Sequence, residues 1–483
     1  MGKRFRSLNR FESFRDPLGK VVLDDTDVWR LVDARENGAF GDLIRSDVFT
    51  EWQRSGKVVS TRAADQSERD DFTHRFADTS SNTPKFDLYK HERVWFPSFP
   101  YEWSPQMLYD AAEMTLEIAG SFFARTGWSI KDASPFNVLF RGSEPIFIDI
   151  LSFEKRDPHD PIWVPYNQFV QTFLLPLLVN KELGLPMQSI FFTYRDGLPV
   201  TEAAKLFGPL KKLKPGILSL VTLPDLLSKK AEGDASLYKP KSLDSAEKAE
   251  FILEQSFKRL NKQLAKVAPA GHRESKWTDY TKFNQETIPD YMAAKQAFVV
   301  KALEEQAPKH VLDIGCNTGF FSFLAARSGA SVVALDHDEA VVSEVYKTAR
   351  KQKLNLLPLV VNISRPTPRM GWRYSENPSF LDRALGRFDL VMMLAVVHHM
   401  LVQERIPLRE IMRLAADLTT ESLIVEFVPP DDKMFRRLTR GRDHLHKDLT
   451  REKFTETSSE FFQIVRSEKL PETEREVFLM KRK

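Results

Sequence analysis

The run His310-Val311-Leu312-Asp313-Ile314-Gly315-Cys316-Asn317-Thr318-Gly319 constrains the fold of this chain more than any other stretch. It reads as a buried strand that ends in an acid, a glycine-punctuated turn, and a helix opening with Phe320-Phe321-Ser322-Phe323-Leu324. A second acid, Asp336, closes the next apolar run, Ser331-Val332-Val333-Ala334-Leu335. The interval between the two acids is the length of one strand-turn-helix-strand unit. An acid at that place can accept hydrogen bonds from both hydroxyls of a ribose. The residues therefore point to a nucleoside-containing ligand in the last third of the chain.

A dinucleotide site requires G-x-G-x-x-G, because the pyrophosphate must approach the backbone and the helix N-terminus closely. Here the spacing is Asp313, Gly315, Gly319, with Asn317 where the middle glycine would stand. A side chain at Asn317 crowds a pyrophosphate but can hydrogen-bond an amino-acid-like tail. This spacing resembles motif I of class I S-adenosylmethionine-dependent methyltransferases, whose cofactor carries no phosphate. The competing reading is a glycine-rich strand-helix turn that binds nothing.

Beyond Asp336 the alternation continues. A helical pattern spans Val341 to Lys353, and a third strand covers Leu356 to Val361 and ends at Asn362. A fourth strand spans Arg387 to Leu394, before Ala395-Val396-Val397-His398-His399-Met400, and a fifth spans Ser422 to Phe427. Phe461 to Val465 and Glu476 to Met480 read as a closing antiparallel pair. Strands alternating with helices predict a doubly wound α/β sheet whose ligands sit beyond the strands' carboxyl ends. Seven strands with such a pair match the methyltransferase arrangement rather than the dehydrogenase one.

The chain's 483 residues predict two or three domains. A net charge of +3 does not by itself imply nucleic acid. The one cysteine, Cys316, rules out an intrachain disulfide framework and a cysteine-based zinc cluster, and reads as a small packing residue. No His/Glu cluster has metal-ligand spacing. The basic start has no apolar core for a signal peptide. The longest apolar stretch, Phe169 to Val179, is too short to span a bilayer. These features predict a cytoplasmic enzyme without membrane insertion.

The boundaries read from the sequence are a charged N-terminal region (1–85), a module at 86–230, a basic helical linker (231–275) and a C-terminal domain (276–483). Arg62 to Pro84 reads as a mobile connection or a solvated surface segment. A long helical pattern covers Ser104 to Gly127. Asp132 and Asn137 then stand five apart, as in the kinase catalytic loop, and Asp149 follows twelve later, where a metal-binding Asp would sit. Phosphoryl transfer uses such a set, with one Asp orienting the acceptor and an Asn and an Asp holding Mg²⁺. The module thus resembles a degenerate protein-kinase-like α+β fold. His and Arg are absent before Asp132, Ile150-Leu151 replaces Phe-Gly, no glycine-rich loop lies upstream, and Lys90 is a weak stand-in for the strand lysine. The alternative is a hairpin in which Asp132 caps a turn and Asn137 bonds backbone. In the linker, Ala246 to Val267 reads as a packing helix with a solvated basic face.

Taken together, the chain resembles a bacterial family of class I methyltransferases described as host-specific nodulation-type proteins. The likeness rests on Pro100-Tyr101-Glu102-Trp103, Lys131 to Asn137, Phe147 to Glu154, Asp313 to Gly319, Leu394 to His399, and Ile424 to Pro429. It implies a kinase-like module fused to a methyltransferase domain with S-adenosyl-L-methionine as cofactor, bound through Asp313, Gly315, Asn317, Gly319, Asp336, Asn362 and Leu394. Asn362 departs from the expected acid, although its carbonyl oxygen can still accept from an adenine amino group. Trp277, Tyr280, Phe283 and Tyr291 form a lid by the same resemblance, or pack in the core.

Methyl transfer to a hydroxyl or amine needs a proton acceptor at the reacting edge. His398 and His399, after the fourth strand, are candidates, and Glu426, closing the fifth, is another. Asp431-Asp432 reads as a solvated turn. The leading expectation is methyl transfer to a small-molecule or carbohydrate-like acceptor, with the first module non-catalytic and binding a substrate or partner. The alternatives are an active Mg-ATP phosphotransferase module in a bifunctional enzyme, and an RNA-modifying methyltransferase.

Overall fold

The computed structural model describes residues 11–24, 26–33, 35, 37–76, 86–231, 242–269 and 289–483. It divides into two units. The first comprises Met1–Tyr101, Pro105–Phe140 and Pro145–Ala270, and the second Glu102–Ser104, Arg141–Glu144 and Gly271–Lys483. Trp277, Tyr280 and Phe283 lie outside the described residues.

The first unit opens with five short strands: β1 (Phe11–Glu12), β2 (Gly19–Leu23), β3 (Val28–Asp33), β4 (Thr61–Ala63) and β5 (Phe86–His91). They form an antiparallel sheet in the order β1-β2-β3-β5-β4. Helices α1 (Asn37–Arg45) and α2 (Asp47–Arg54) connect β3 to β4. Of Arg62 to Pro84, expected as a mobile connection or a solvated surface segment, the described residues up to 76 complete β4 and form helix α3 (Gln66–Arg75), and the rest lie outside the described residues. An Asp65/Glu68 capping box satisfies the free amides that open α3, which has no buried residue. Local capping and the half-buried Phe72, packed against the core of the sheet, hold it in place.

Period-2 alternation sorts the β3 side chains. Trp29 and Lys90 lie opposite each other on β3 and β5, on the face where Trp29 meets Phe72 of α3. Arg30 takes the other face. Lys90 ion-pairs with Asp27 at 2.9 Å and Glu68 at 3.2 Å.

Helix α4 (Pro105–Thr126) is buried along most of its length, as its apolar pattern predicts. Strands β6 (Trp128–Ile130) and β9 (Phe153–Lys155) pair, and β7 (Val138–Arg141) and β8 (Glu144–Phe147) form a hairpin. The helix predicted over Ala246 to Val267 has those bounds and buries Ala249, Leu253, Phe257, Leu260, Leu264 and Val267. That stripe at helical spacing packs inward within the first unit, with the Phe257 ring 5.1 Å from Trp163.

The second unit is a seven-stranded sheet. Its strands are β10 (His310–Ile314), β11 (Ser331–Asp336), β12 (Leu356–Val360), β13 (Phe388–Met393), β14 (Thr419–Phe427), β15 (Phe462–Lys469) and β16 (Glu476–Arg482). The order is β12-β11-β10-β13-β14-β16-β15, parallel except for β16, which runs antiparallel to both neighbours. Near-continuous Val/Leu/Ile runs suit strands covered by helices on both faces. The order reverses between β10 and β13, so a crevice opens at their carboxyl ends. Within this unit the fully buried Glu102 ion-pairs with Arg383 and accepts from Thr367 at 2.5 Å. Among the described residues no helix is long and apolar enough to cross a membrane.

Candidate active site

The turn after β10 is built on left-handed backbone. Gly315 (φ +75°), Asn317 (φ +49°) and Gly319 (φ +79°) together reverse the chain into helix Phe320–Arg327. A Cβ on Gly319 would approach Val345 and Phe323 to 3.0–3.1 Å, so glycine is required for space as well as conformation. The Gly315 and Cys316 amides donate to Leu335 O at 2.9 Å, fixing the turn to the end of β11.

These elements frame a cavity of about 270 Å³. Of the residues predicted to hold a cofactor, Asp313, Gly315, Asn317, Asp336, Asn362 and Leu394 line it. Gly319 does not; its part is to turn the chain. Asp336 accepts from the Asn317 amide through Oδ2 and the Asp338 amide through Oδ1, both at 3.0 Å. Burial raises its pKa, partly offset by those donors. Asp313 is buried, accepts from Ser322 Oγ at 2.5 Å, and is pushed up to about 6 by desolvation. Asn317 turns its amide oxygen onto the Thr318 amide at 2.6 Å, and Asn362 Oδ1 accepts from the Ser364 amide at 2.9 Å. Cys316 is buried and its thiol is pushed well above its ordinary range, so it packs rather than reacts.

The three proton-acceptor candidates occupy different environments. His398 and His399 are adjacent on helix Val397–Val402, about 100° apart around its axis. His398 is 3% exposed, lies 4.3 Å from the His399 ring and stacks on Phe435. Burial holds it well below its ordinary pKa, and its Nδ1 has no hydrogen-bond partner among the described residues. His399 lines the 270 Å³ cavity and also a larger one of about 1760 Å³. Its Nδ1 lies 3.1 Å from Gln403 Oε1; that amide oxygen favours the Nδ1–H tautomer and leaves Nε2 as the basic nitrogen. Desolvation lowers its pKa.

Glu426, fully buried, lies 2.5 Å from Lys295 Nζ and 3.4 Å from Arg475. It also accepts from the Tyr291 hydroxyl at 2.8 Å. Burial opposes its charge, but the two cations outweigh burial and hold its pKa below the ordinary value. Arg475 continues the chain with two bonds to Asp432, at 2.9 and 3.0 Å. Asp432, expected in a solvated turn, is thus half-buried and paired, whereas Asp431 is exposed beside Arg436 at 2.7 Å.

The network seats Tyr291, which receives hydrogen bonds from Lys295 at 3.3 Å and Arg475 at 3.2 Å and lines both cavities. Lys295 was not singled out in the sequence. Its only signal there is the i, i+4 spacing from Tyr291 on helix Pro289–Gln306.

In the first unit, the kinase-loop residues converge. Asp132 Oδ1 accepts from the Ser134 amide at 3.0 Å and Gln168 Nε2 at 2.7 Å, and Asn137 Nδ2 donates to Asp132 O at 3.3 Å. Asp149 ion-pairs with Arg30 at 3.1 Å, and burial raises its pKa against that charge. Arg30 Nε donates to His91 Nε2 at 3.0 Å, and burial drives the His91 pKa well down.

Residues 284–461 match the family model described as "Methyltransferase domain". Along nearly its whole length the chain is similar to nodulation protein NoeA of Rhizobium meliloti (strain 1021), 27% identical over 476 residues, 97% of this chain and 95% of that protein. Among solved structures, N-methyltransferase NodS from Bradyrhizobium japonicum WM9 aligns over 41% of this chain and 98% of its own, at 14% identity and TM-score 0.31. The bifunctional kinase-methyltransferase WbdD aligns over 38% of this chain and 39% of its own, at 20% identity and TM-score 0.28. At these scores neither alignment bears on mechanism. The family match, the NoeA likeness and the β12-β11-β10-β13-β14-β16-β15 sheet identify the second unit as a class I S-adenosylmethionine-dependent methyltransferase domain.

Proposed function

We propose that this domain methylates a small-molecule or carbohydrate-like acceptor held in the 1760 Å³ cavity, with His399 as the proton acceptor. The observation that carries this reading is that His399 and Tyr291 line both cavities, so donor and acceptor can meet there. The volume exceeds that of ordinary drug-sized pockets, which suits an extended, hydroxyl-bearing acceptor.

The cofactor's sulfonium supplies the electrophilic methyl group when bound. The Asp336 carboxylate is the acceptor for ribose hydroxyls, at the end of the second strand of the unit. Val361, Ile363 and Leu394 offer an apolar wall to a base. Asp313, a buried carboxylate facing the cavity, stabilises positive charge on the donor. His399 takes the acceptor's proton at Nε2 while Gln403 fixes the ring. Tyr291 is a positioning residue, held by Glu426, Lys295 and Arg475.

For the first unit we propose a non-catalytic role in binding a substrate or partner. In the kinase pattern the third-strand cation is a lysine. Here Arg30 stands on β3 and is paired with Asp149, the carboxylate that would otherwise hold Mg²⁺. Asp132 is also engaged by two donors, which supports a structural use of the loop.

Three outcomes are expected. First, Asp313→Asn removes a carboxylate whose native pKa, about 6, lies above its ordinary 3.8. The wild type therefore carries a penalty that is absent below pH 3.8 and complete above about 6. That difference corresponds to on the order of 2–3 kcal/mol. Thermal unfolding of the ligand-free variant should exceed wild type at pH 7.5 and converge as pH falls, while its S-adenosylhomocysteine affinity drops; equal affinity removes Asp313 from the site. Second, turnover should fall as His399 protonates, with an acid limb below pH 6.5 that His399→Gln flattens at a rate reduced about 10²–10⁴-fold. An unchanged limb in the variant assigns the proton elsewhere. Third, calorimetry of the full chain with Mg-ATP should show no binding. Saturable binding that Asp149→Asn abolishes would overturn the non-catalytic reading.

A further inference from the structure

The 1760 Å³ cavity has a charge pattern that the methyl-transfer chemistry does not use. Arg405, Lys433, Arg437, Arg440 and Arg442 line it. Among the described residues none of these five has a carboxylate at ion-pair distance. The carboxylates on the same walls are Asp431, Asp432, Glu472 and Glu474. Two of them are already neutralised, Asp432 by Arg475 and Asp431 by Arg436. Cationic charge on the walls therefore exceeds what the remaining carboxylates can balance.

Left-handed backbone shapes the same walls. Nine non-glycine residues among those described have positive φ. Three of them line this cavity: Arg405 (φ +56°), Arg440 (φ +50°) and Glu472 (φ +59°). Left-handed backbone at a non-glycine residue costs about 1–2 kcal/mol and is common where a helix ends, as at Arg440; Arg405 and Glu472 adopt it outside helices. Arg440 ends helix Lys433–Thr439, and Gly441 (φ +82°) extends the turn that brings Arg442 to the same wall. The guanidinium fork matches two oxygens of a carboxylate, sulfate or phosphate, which an ammonium does not.

We propose that the acceptor carries an anionic group, bound through Arg405, Arg437, Arg440 and Arg442, which orients its reacting atom toward His399. This rests on the reading of the larger cavity as the acceptor site. The cluster selects for a charged acceptor over its neutral analogue, and the shared chemistry is an oxyanion with at least two exposed oxygens.

Two arms test this on the full chain saturated with S-adenosylhomocysteine or S-adenosylmethionine. In the first, calorimetry titrates sodium phosphate, sulfate and acetate at ionic strength held constant with chloride. Saturable binding of at least one anion is expected, and the order of affinities distinguishes phosphoryl, sulfuryl and carboxylate sources. The double variant Arg437→Gln/Arg440→Gln should weaken that binding about tenfold or more, the loss of one or two charge-assisted bonds. S-Adenosylhomocysteine affinity should stay within about twofold, since neither arginine lines the smaller cavity; that control also reports folding. Absence of saturable binding, or binding that the variant leaves unchanged, overturns the anion site.

In the second arm, methyl label from S-adenosylmethionine is followed into an extract of cells lacking this protein. The anion that binds should inhibit incorporation competitively with extract, and the variant should incorporate less. Anion binding without inhibition shows that the cavity is not the acceptor site and sinks the proposal through its premise. Label in ribonuclease-sensitive material overturns the small-molecule acceptor on which the proposal rests, in favour of RNA.

Discussion

A carboxylate without access to water, Glu426, organises the methyltransferase unit. It is balanced by Lys295 and Arg475 and receives the Tyr291 hydroxyl. Removing one partner of such a buried pair costs about 3–5 kcal/mol, because the other charge is left uncompensated. The network joins helix Pro289–Gln306, the end of β14 and the residue preceding β16, three elements far apart in sequence. Its product is a fixed Tyr291 between the two cavities. A network this demanding defines one arrangement of the walls of the two cavities.

Three strands of the sheet end in or near acids, and their surroundings divide the work. Asp313 and Asp336 face the smaller cavity, and burial raises both. Glu426, with two cations in contact, is lowered. In the function proposed above, a ribose meets the Asp336 carboxylate and a cationic donor meets that of Asp313. The third is satisfied within the protein. Similar side chains at equivalent strand ends thus face a cavity in two cases and close an internal ion-pair network in the third.

Much of this was legible in the sequence, for physical reasons. Parallel strands buried on both faces read as continuous apolar runs, so β10 to β14 and the closing pair stood out. Asp313 and Asp336 were visible because their positions follow from the unit's length. The N-terminal sheet was not resolved, because its strands are two to six residues long and carry charged side chains. Arg475 escaped notice because its partners are 43, 49 and 184 residues away and sequence spacing says nothing about them. His398 and His399 are indistinguishable in a string; one helical step puts the first in the core and the second on both cavity walls.

The proposed methyl transfer requires that the crevice at the ends of β10, β11 and β12 hold the methyl donor through Asp336. Calorimetric titration of S-adenosylhomocysteine into wild type and Asp336→Ala tests it most directly. Saturable binding by wild type is expected, weakened about 10–100-fold in the variant, the loss of hydrogen bonds to a charged acceptor. Equal affinity in the two proteins, or no binding by wild type, would contradict it.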